Sequence, residues 1–129
     1  MHRRKGFTLI ELLVVIVIIG ILAAVAASFL WRSKEQAFRA TLQSDLRVLA
    51  AHQENFQADN FEYAADLTDM PAFRQSPGVT VTVTFASEAG WAAQATHVSY
   101  TGHQCGLFIG SAAAAAAAPA TVAGTVACN

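Results

Sequence analysis

The chain has 129 residues, 54% of them hydrophobic and 13% charged, with a mean hydropathy of +0.40 and a formal net charge of −1. That length suits one small domain, and the composition is too apolar for an ordinary soluble one. Taking the three cations of MHRRKG from the eight in the chain leaves five against nine acids, a net of −4, so the body lacks the clustered positive charge of a nucleic-acid-binding surface.

The first element is apolar and of membrane length. Residues 12–30, LLVVIVIIGILAAVAASFL, carry no charge, and with Phe7 to Ile10 in front the run reaches 24 residues, interrupted only by Glu11. About 20 helical residues span a bilayer core. Arg3, Arg4 and Lys5 precede the run with no acid among them. The positive-inside rule keeps that end in the cytoplasm and exports the remainder. The segment is expected to be single-pass in the cytoplasmic membrane.

Glu11 is the anomaly in this run. A charged acid at mid-bilayer costs about 3 kcal/mol on insertion scales, and less near the interface. One reading leaves Glu11 in the first helical turn, tolerated by the helix dipole and the headgroups. The other starts from Gly6-Phe7. A cut between these residues would create an ammonium at the head of the helix, and Glu11 would pair with it, in its own chain or in a neighbour, as a registry device.

The helix continues past the apolar run, so that one element is expected over about 7–60. Trp31, Arg32 and Lys34 suit the outer membrane interface. Beyond them Phe38, Leu42, Leu46, Leu49 and Phe56 make an apolar stripe on a polar helix, with Gln53 filling the missing step. Glu35 and Arg39 form an i, i+4 pair in the favoured order.

Residues 61–78 carry turn formers and apolar anchors and predict a loop with one short helical turn. In VTVTVTF, Val79, Val81, Val83 and Phe85 alternate with threonines, which predicts a strand with these four residues on one side. Trp91 to Tyr100 and Cys105 to Ile109 predict two more. The fold class is α+β: the second half of the helix covers a small antiparallel sheet of about three strands. The tail from Gly110, with seven consecutive alanines ahead of Pro119, predicts a low-complexity loop or a nascent helix too short to stand alone.

Cys105 and Cys128 lie in the exported part, where a pair is most simply a disulfide. Closing that loop removes about 3.5 kcal/mol of entropy from the unfolded chain. The alternative, a zinc set of His97, His103, Cys105 and Cys128, fits no standard ligand spacing. No catalytic constellation, metal site or cofactor site is expected. Glu54, Asp59, Glu62, Asp66 and Asp69 gather at the helix end and loop, either as a solvated face or as a match for Arg32, Lys34, Arg39 and Arg47 on another subunit. No Asp, Glu, Lys or Arg follows Glu88. That surface is neutral and bland, covered by neighbours, glycosylated or adhesive.

RRKGFTLIELLVVIVIIGILAAVA resembles the amino-terminal signature of type IV prepilins and type II secretion pseudopilins, of the class III methylation type. The signature consists of a basic leader, a Gly-Phe cut site, Thr-Leu-Ile-Glu and a long apolar stretch. The resemblance covers residues 3 to 27 and implies the following. Residues 1–6 are a leader removed by a prepilin peptidase between Gly6 and Phe7. Phe7 becomes an N-methylated amino terminus, and Glu11 pairs with the amine of a neighbouring Phe7. Residues 7–30 form the filament core and residues 31–129 a pilin domain outside it. Gly20 matches the family's glycine in the anchor helix, whereas the proline many members carry near position 28 is here Ser28, which leaves the position of any melted stretch open.

The function so implied is non-enzymatic. It is that of a structural subunit of a type IV pilus, a helical homo-oligomer serving adhesion, twitching motility or DNA uptake. Its partners are the prepilin peptidase, the pilus assembly platform and minor pilins. It resides in the inner membrane before assembly and in the extracellular pilus afterwards. The alternative is a pseudopilin of a type II secretion or competence system. Major pseudopilins carry an acid-rich calcium loop near the carboxy terminus and usually no disulfide, the reverse of this chain, which favours the pilus. A third reading takes the A-x-A spacing in AAVAAS, residues 23–28, as a signal-peptidase site, releasing a secreted soluble domain near Ser28.

Overall fold

The computed structural model describes residues 6–129. Arg3, Arg4 and Lys5 lie outside the described residues. One helix, α1, runs over Leu9–Asn60 without a break, and four strands follow: β1 (Val79–Ser87), β2 (Gly90–His97), β3 (Gln104–Gly110) and β4 (Ala127–Cys128). The chain divides into two compact units, one ending at Lys34 and the other Glu35–Asn129.

Among the described residues of the first unit nothing is buried. Every large apolar side chain from Phe7 to Trp31 is exposed. The uncharged residues 12–30 rise about 28 Å at 1.5 Å per residue, close to the thickness of a bilayer core. At Ser28 the helix is continuous and the hydroxyl donates to the Ala24 carbonyl at 3.4 Å. Lys34 Nζ sits 5.1 Å from the centre of the Trp31 ring, a cation–π contact that keeps the polar end of the pair together.

In the second unit α1 buries Leu42, Leu46, Leu49 and Gln53, and the expected end members Phe38 and Phe56 are half-buried against the same cluster. The polar member has a specific cause. Gln53 Nε2 donates to the Ala64 carbonyl at 2.9 Å, and its Oε1 accepts from the Ala64 amide at 2.8 Å. One amide side chain thus satisfies both backbone groups of a buried loop residue. Asp45 is also buried and accepts from the Ser76 amide and hydroxyl, both at 2.7 Å. These two residues tie the segment 61–78, with its short 3-10 turn at Leu67–Asp69, back onto the helix. Arg39 does not close onto Glu35 as its spacing suggests; its guanidinium donates to the Asn129 carbonyl at 3.5 Å.

The sheet is antiparallel in the order β1-β2-β3-β4, so the two-residue β4 adds a fourth strand to the three expected. Strict alternation also fails at one point. A bulge between Val83 and Phe85 brings Phe85 opposite Ala92, while Val83 stays opposite Ala93. Ala93 belongs to the helix-facing core and Ala92 to the cluster on the other side. The extra residue therefore turns Phe85 away from Val79 and Val81. The free edge of β1 is closed by the preceding loop: the Val79 amide donates to the Ser76 carbonyl at 3.0 Å and the Val81 amide to Gln75 Oε1 at 2.6 Å. Such a plug blocks edge-to-edge strand pairing.

The alanine tail is the larger departure. It is neither an open loop nor an α-helix. It makes one 3-10 turn, Ala114–Ala117, and lays Ala112, Ala117 and Ala120 against Ala92 and Phe108 on the second face of the sheet. Small side chains let backbone approach backbone. A Cβ at Gly106 would stand 1.7 Å from the Ala117 carbonyl oxygen, so only glycine fits there. The carbonyls this exposes find donors: Gln94 Nε2 and Gln104 Nε2 both reach Ala118 O, at 3.0 and 2.8 Å, and Thr84 Oγ1 reaches Ala116 O. Cys105 and Cys128 are opposite one another in β3 and β4 and are joined in a disulfide that closes the tail.

Candidate functional site: the amino-terminal end of α1

The residues at the start of α1 form a reciprocal cap. Thr8 precedes the first helical residue, and its amide and hydroxyl both donate to Glu11 Oε2, at 2.8 and 2.7 Å. The Glu11 amide returns a bond to Thr8 Oγ1 at 3.3 Å. This is a capping box, T-x-x-E, which satisfies donors that the first helical turn otherwise leaves open. The carboxylate also sits at the positive end of the helix dipole.

The position of Glu11 thus has a local explanation as well as the one suggested by Gly6-Phe7. Phe7 is 83% exposed and stands immediately before the cap. A Cβ at Gly6 would meet nothing within 4 Å. Phe7, Ile10, Glu11, Val14 and Val15 line one shallow groove of about 410 Å³, apolar except for the carboxylate. Sequence reasoning named Thr8 only within Thr-Leu-Ile-Glu and did not read it as a cap, although the T-x-x-E spacing was there to find it. It likewise passed over Asp45, whose polarity gives no hint that it is buried.

The candidate cysteines, histidines and helix-end acids belong to the second unit. Cys105 is fully buried, and the disulfide consumes both thiols that a zinc set with His97 and His103 would need. His97 packs its ring 4.3 Å from that of Phe38 and accepts from the Ser99 amide through Nδ1 at 3.0 Å. His103 stacks on Tyr100 at 4.1 Å and bonds to the Asn129 carbonyl. Among the described residues no three His, Cys, Asp or Glu side chains group as a metal site would require.

The acids at the helix end are not equivalent. Asp66 caps the 3-10 turn by accepting from the Thr68 amide at 2.8 Å, which holds its carboxyl below the usual aspartate value. Tyr63 is pushed above the usual phenol value, first by desolvation and then by Glu54, whose carboxylate accepts from the Tyr63 hydroxyl at 3.2 Å. Asp59 and Glu62 are exposed.

Comparison with known proteins agrees with this geometry. Residues 1–27 match the prokaryotic N-terminal methylation motif. The type II secretion system core protein G of Klebsiella pneumoniae is 38% identical over 77 residues, which cover 60% of this chain and 55% of that protein. Its counterpart from Pseudomonas aeruginosa is 37% identical over 79 residues, 60% of this chain and 56% of that protein. The type IV wide pilus major component of Thermus thermophilus is 42% identical over 66 residues, 51% of this chain and 50% of that protein. The chain spans about half the length of these curated relatives.

Proposed function

We propose that this chain, an α+β homologue of type II secretion and type IV pilus proteins, is a pseudopilin: the repeating subunit of a filament in a type II secretion apparatus. The observation that carries the reading is the first half of α1, which buries nothing of its own and carries one acid, capped by Thr8, beside Phe7. A helix apolar all round is stable in lipid or among copies of itself. The most numerous similar proteins are secretion core proteins, which moves the balance from the pilus toward the secretion apparatus.

On this reading MHRRKG is removed by a prepilin peptidase between Gly6 and Phe7, with Arg3, Arg4 and Lys5 holding that end in the cytoplasm. The new Phe7 amine is methylated and pairs with Glu11 of an adjacent copy. Both bonds from Thr8 fall on Glu11 Oε2, so a second donor can approach through Oε1. Pairing two charges in a low-dielectric core offsets the desolvation of each and fixes the axial register between helices.

A pilus subunit is the second reading. The Cys105–Cys128 disulfide favours it, as does the similarity to the Thermus pilus component. Two measurements test these proposals. Intact mass and amino-terminal sequencing of the exported chain should give a start at methylated Phe7; a start near Ser28 would remove the filament core and overturn both. Deletion should block export of secreted enzymes while leaving surface pili in place. Loss of pili with secretion intact would transfer the assignment to the pilus.

A further inference from the structure

We infer that Phe61 is a subunit–subunit contact of the filament, seated in the groove that the exposed face of α1 presents on the next copy of this chain. The inference rests on the filament reading above and adds to it a contact in the second unit, away from the apolar helix.

Phe61 is anomalous on two independent counts. Its φ is +63°, in the left-handed region that costs a side chain with a Cβ and favours Gly or Asn at the residue after a helix. It is also 80% exposed, so burial does not offset that cost within the chain. The turn itself needs only the backbone: the Phe61 amide donates to the Gln57 carbonyl at 2.8 Å, a bond any residue there could make. A strained and solvated aromatic at a position suited to glycine points to a partner for the ring.

The same unit carries a complementary feature. Ser44, Arg47, Val48, Ala51, His52 and Asn55 line a groove of about 350 Å³ on the solvent side of α1, large enough for a phenyl ring. Val48 is 45% exposed, and the His52 ring stands edge-on to Phe73 at 5.7 Å, which braces one wall. The charges match as well. Asp59 and Glu62 flank Phe61, whereas Arg47 borders the groove. Arg47, Asp59 and Glu62 are all exposed. A second copy therefore offers the ring an apolar seat and the acids a cation.

Knob and hole cannot meet within one chain, since both lie on or just after the same helix. Ala51 and Phe61 are ten positions apart, about 15 Å along the axis at 1.5 Å per residue. A contact between two different patches at different heights is heterologous and does not close on itself. Repeated, it generates an open helical polymer rather than a dimer.

The test uses the full chain expressed with its assembly machinery, at matched levels of membrane-bound subunit. Phe61→Gly suits the backbone and deletes the knob. The expected result is a subunit melting no lower than wild type and a filament yield reduced about tenfold, a separation that a merely structural role would not produce. Independently, F61C with A51C should give a ladder of disulfide-linked oligomers on mild oxidation of assembled filaments, and F61C alone should not. Wild-type filaments accompanied by normal F61G filaments and no ladder would overturn the contact while leaving the filament reading standing. Failure of the wild-type chain to polymerise at all would overturn both.

Discussion

Gln53 and Ala64 are joined through both edges of one amide, with 2.9 Å from Nε2 to the carbonyl and 2.8 Å from the backbone N–H to Oε1. The pair is buried, in the middle of an otherwise leucine-lined helix face. Gln53→Leu would complete the apolar stripe and increase hydrophobicity. It should nevertheless destabilise the second unit by about 2–4 kcal/mol, because both backbone groups of Ala64 would be left buried without partners. Thermal unfolding of the full chain in detergent, followed by circular dichroism, checks the sign. A Gln53→Leu variant as stable as wild type would mean that loop 61–78 is not held by this bond.

The helix, the disulfide pairing and the first strand were legible in the sequence because each has a short-range signature: periodicity, an isolated cysteine pair and alternation. Gln53 was legible as a gap in a stripe but not as a clamp, since its partner is a backbone amide 11 residues later. The bulge at Val83/Phe85 was hidden because V-T-V-T-V-T-F reads as unbroken alternation, and only pairing with β2 shows the extra residue. The alanine tail misled for a different reason. Helix propensity is a local quantity, whereas the conformation of the tail is set by the close approach of its backbone to Gly106 and by carbonyl acceptors for Gln94 and Gln104. At the amino terminus, Glu11 was marked by its cost in lipid, and the capping role of Thr8 went unread because a threonine there costs nothing.

Gly106 and Gly102 allow a contrast. A Cβ at Gly106 collides with the Ala117 carbonyl, while at Gly102 it meets nothing within 4 Å but must accept a φ of +79°. Gly102→Ala should cost about 1 kcal/mol, the ordinary penalty of a left-handed residue. Gly106→Ala should cost more than twice that and detach the alanine turn from β3. Hydrogen exchange can distinguish the two: the amides of Ala116 and Ala120 should lose protection in Gly106→Ala and keep it in Gly102→Ala. Equal protection in both variants would show that the tail tolerates displacement.

Thr8 and Glu11 support each other, so single substitutions should act locally before they act on assembly. Thr8→Ala removes the hydroxyl from the capping box and should cost about 1 kcal/mol of helix stability at the first turn. In micelles the amides of residues 9–12 should exchange faster, with residues 20–30 unchanged. Glu11→Gln keeps an acceptor for the Thr8 amide and should fray less than Thr8→Ala; on the proposed pairing of Glu11 with a neighbouring Phe7 amine it should nevertheless assemble worse, because the charge is gone. If Glu11→Gln assembles better than Thr8→Ala, in step with its smaller fraying, Glu11 acts through the cap alone.

The Asp66 carboxylate is held below its usual pKa by the Thr68 amide. A group whose folded pKa is depressed stabilises above its unfolded value, about 3.9 for aspartate, and loses that contribution as pH falls through the folded value. The 3-10 turn Leu67–Asp69 should therefore be fully capped at neutral pH and loosen only in acid. A nuclear magnetic resonance titration should place the Asp66 midpoint below that of an unstructured aspartate, and the Thr68 amide shift should follow the same curve. Because the carboxylate is fully exposed, the unfolding midpoint of the whole unit should move little over this range. A Thr68 amide that ignores the Asp66 titration would exclude the cap.

The disulfide between Cys105 and Cys128 closes a segment with a sequence separation of 23, and its stabilisation on the chain-entropy argument is about 3.5 kcal/mol. What it holds is unevenly shared. β4 is only two residues long, and Gln43 Nε2 touches the Cys128 sulfur at 3.6 Å, so the staple also ties the tail to the helix side of the sheet. β1 to β3 pair over longer registers without it. Cys105→Ser with Cys128→Ser should therefore release the tail first. Limited proteolysis should cut within residues 111–129 while the remaining sheet keeps its exchange protection, and the unfolding midpoint should drop by several degrees. Global unfolding with no protected intermediate would mean instead that the alanine layer and the helix-facing core fold as one cooperative unit.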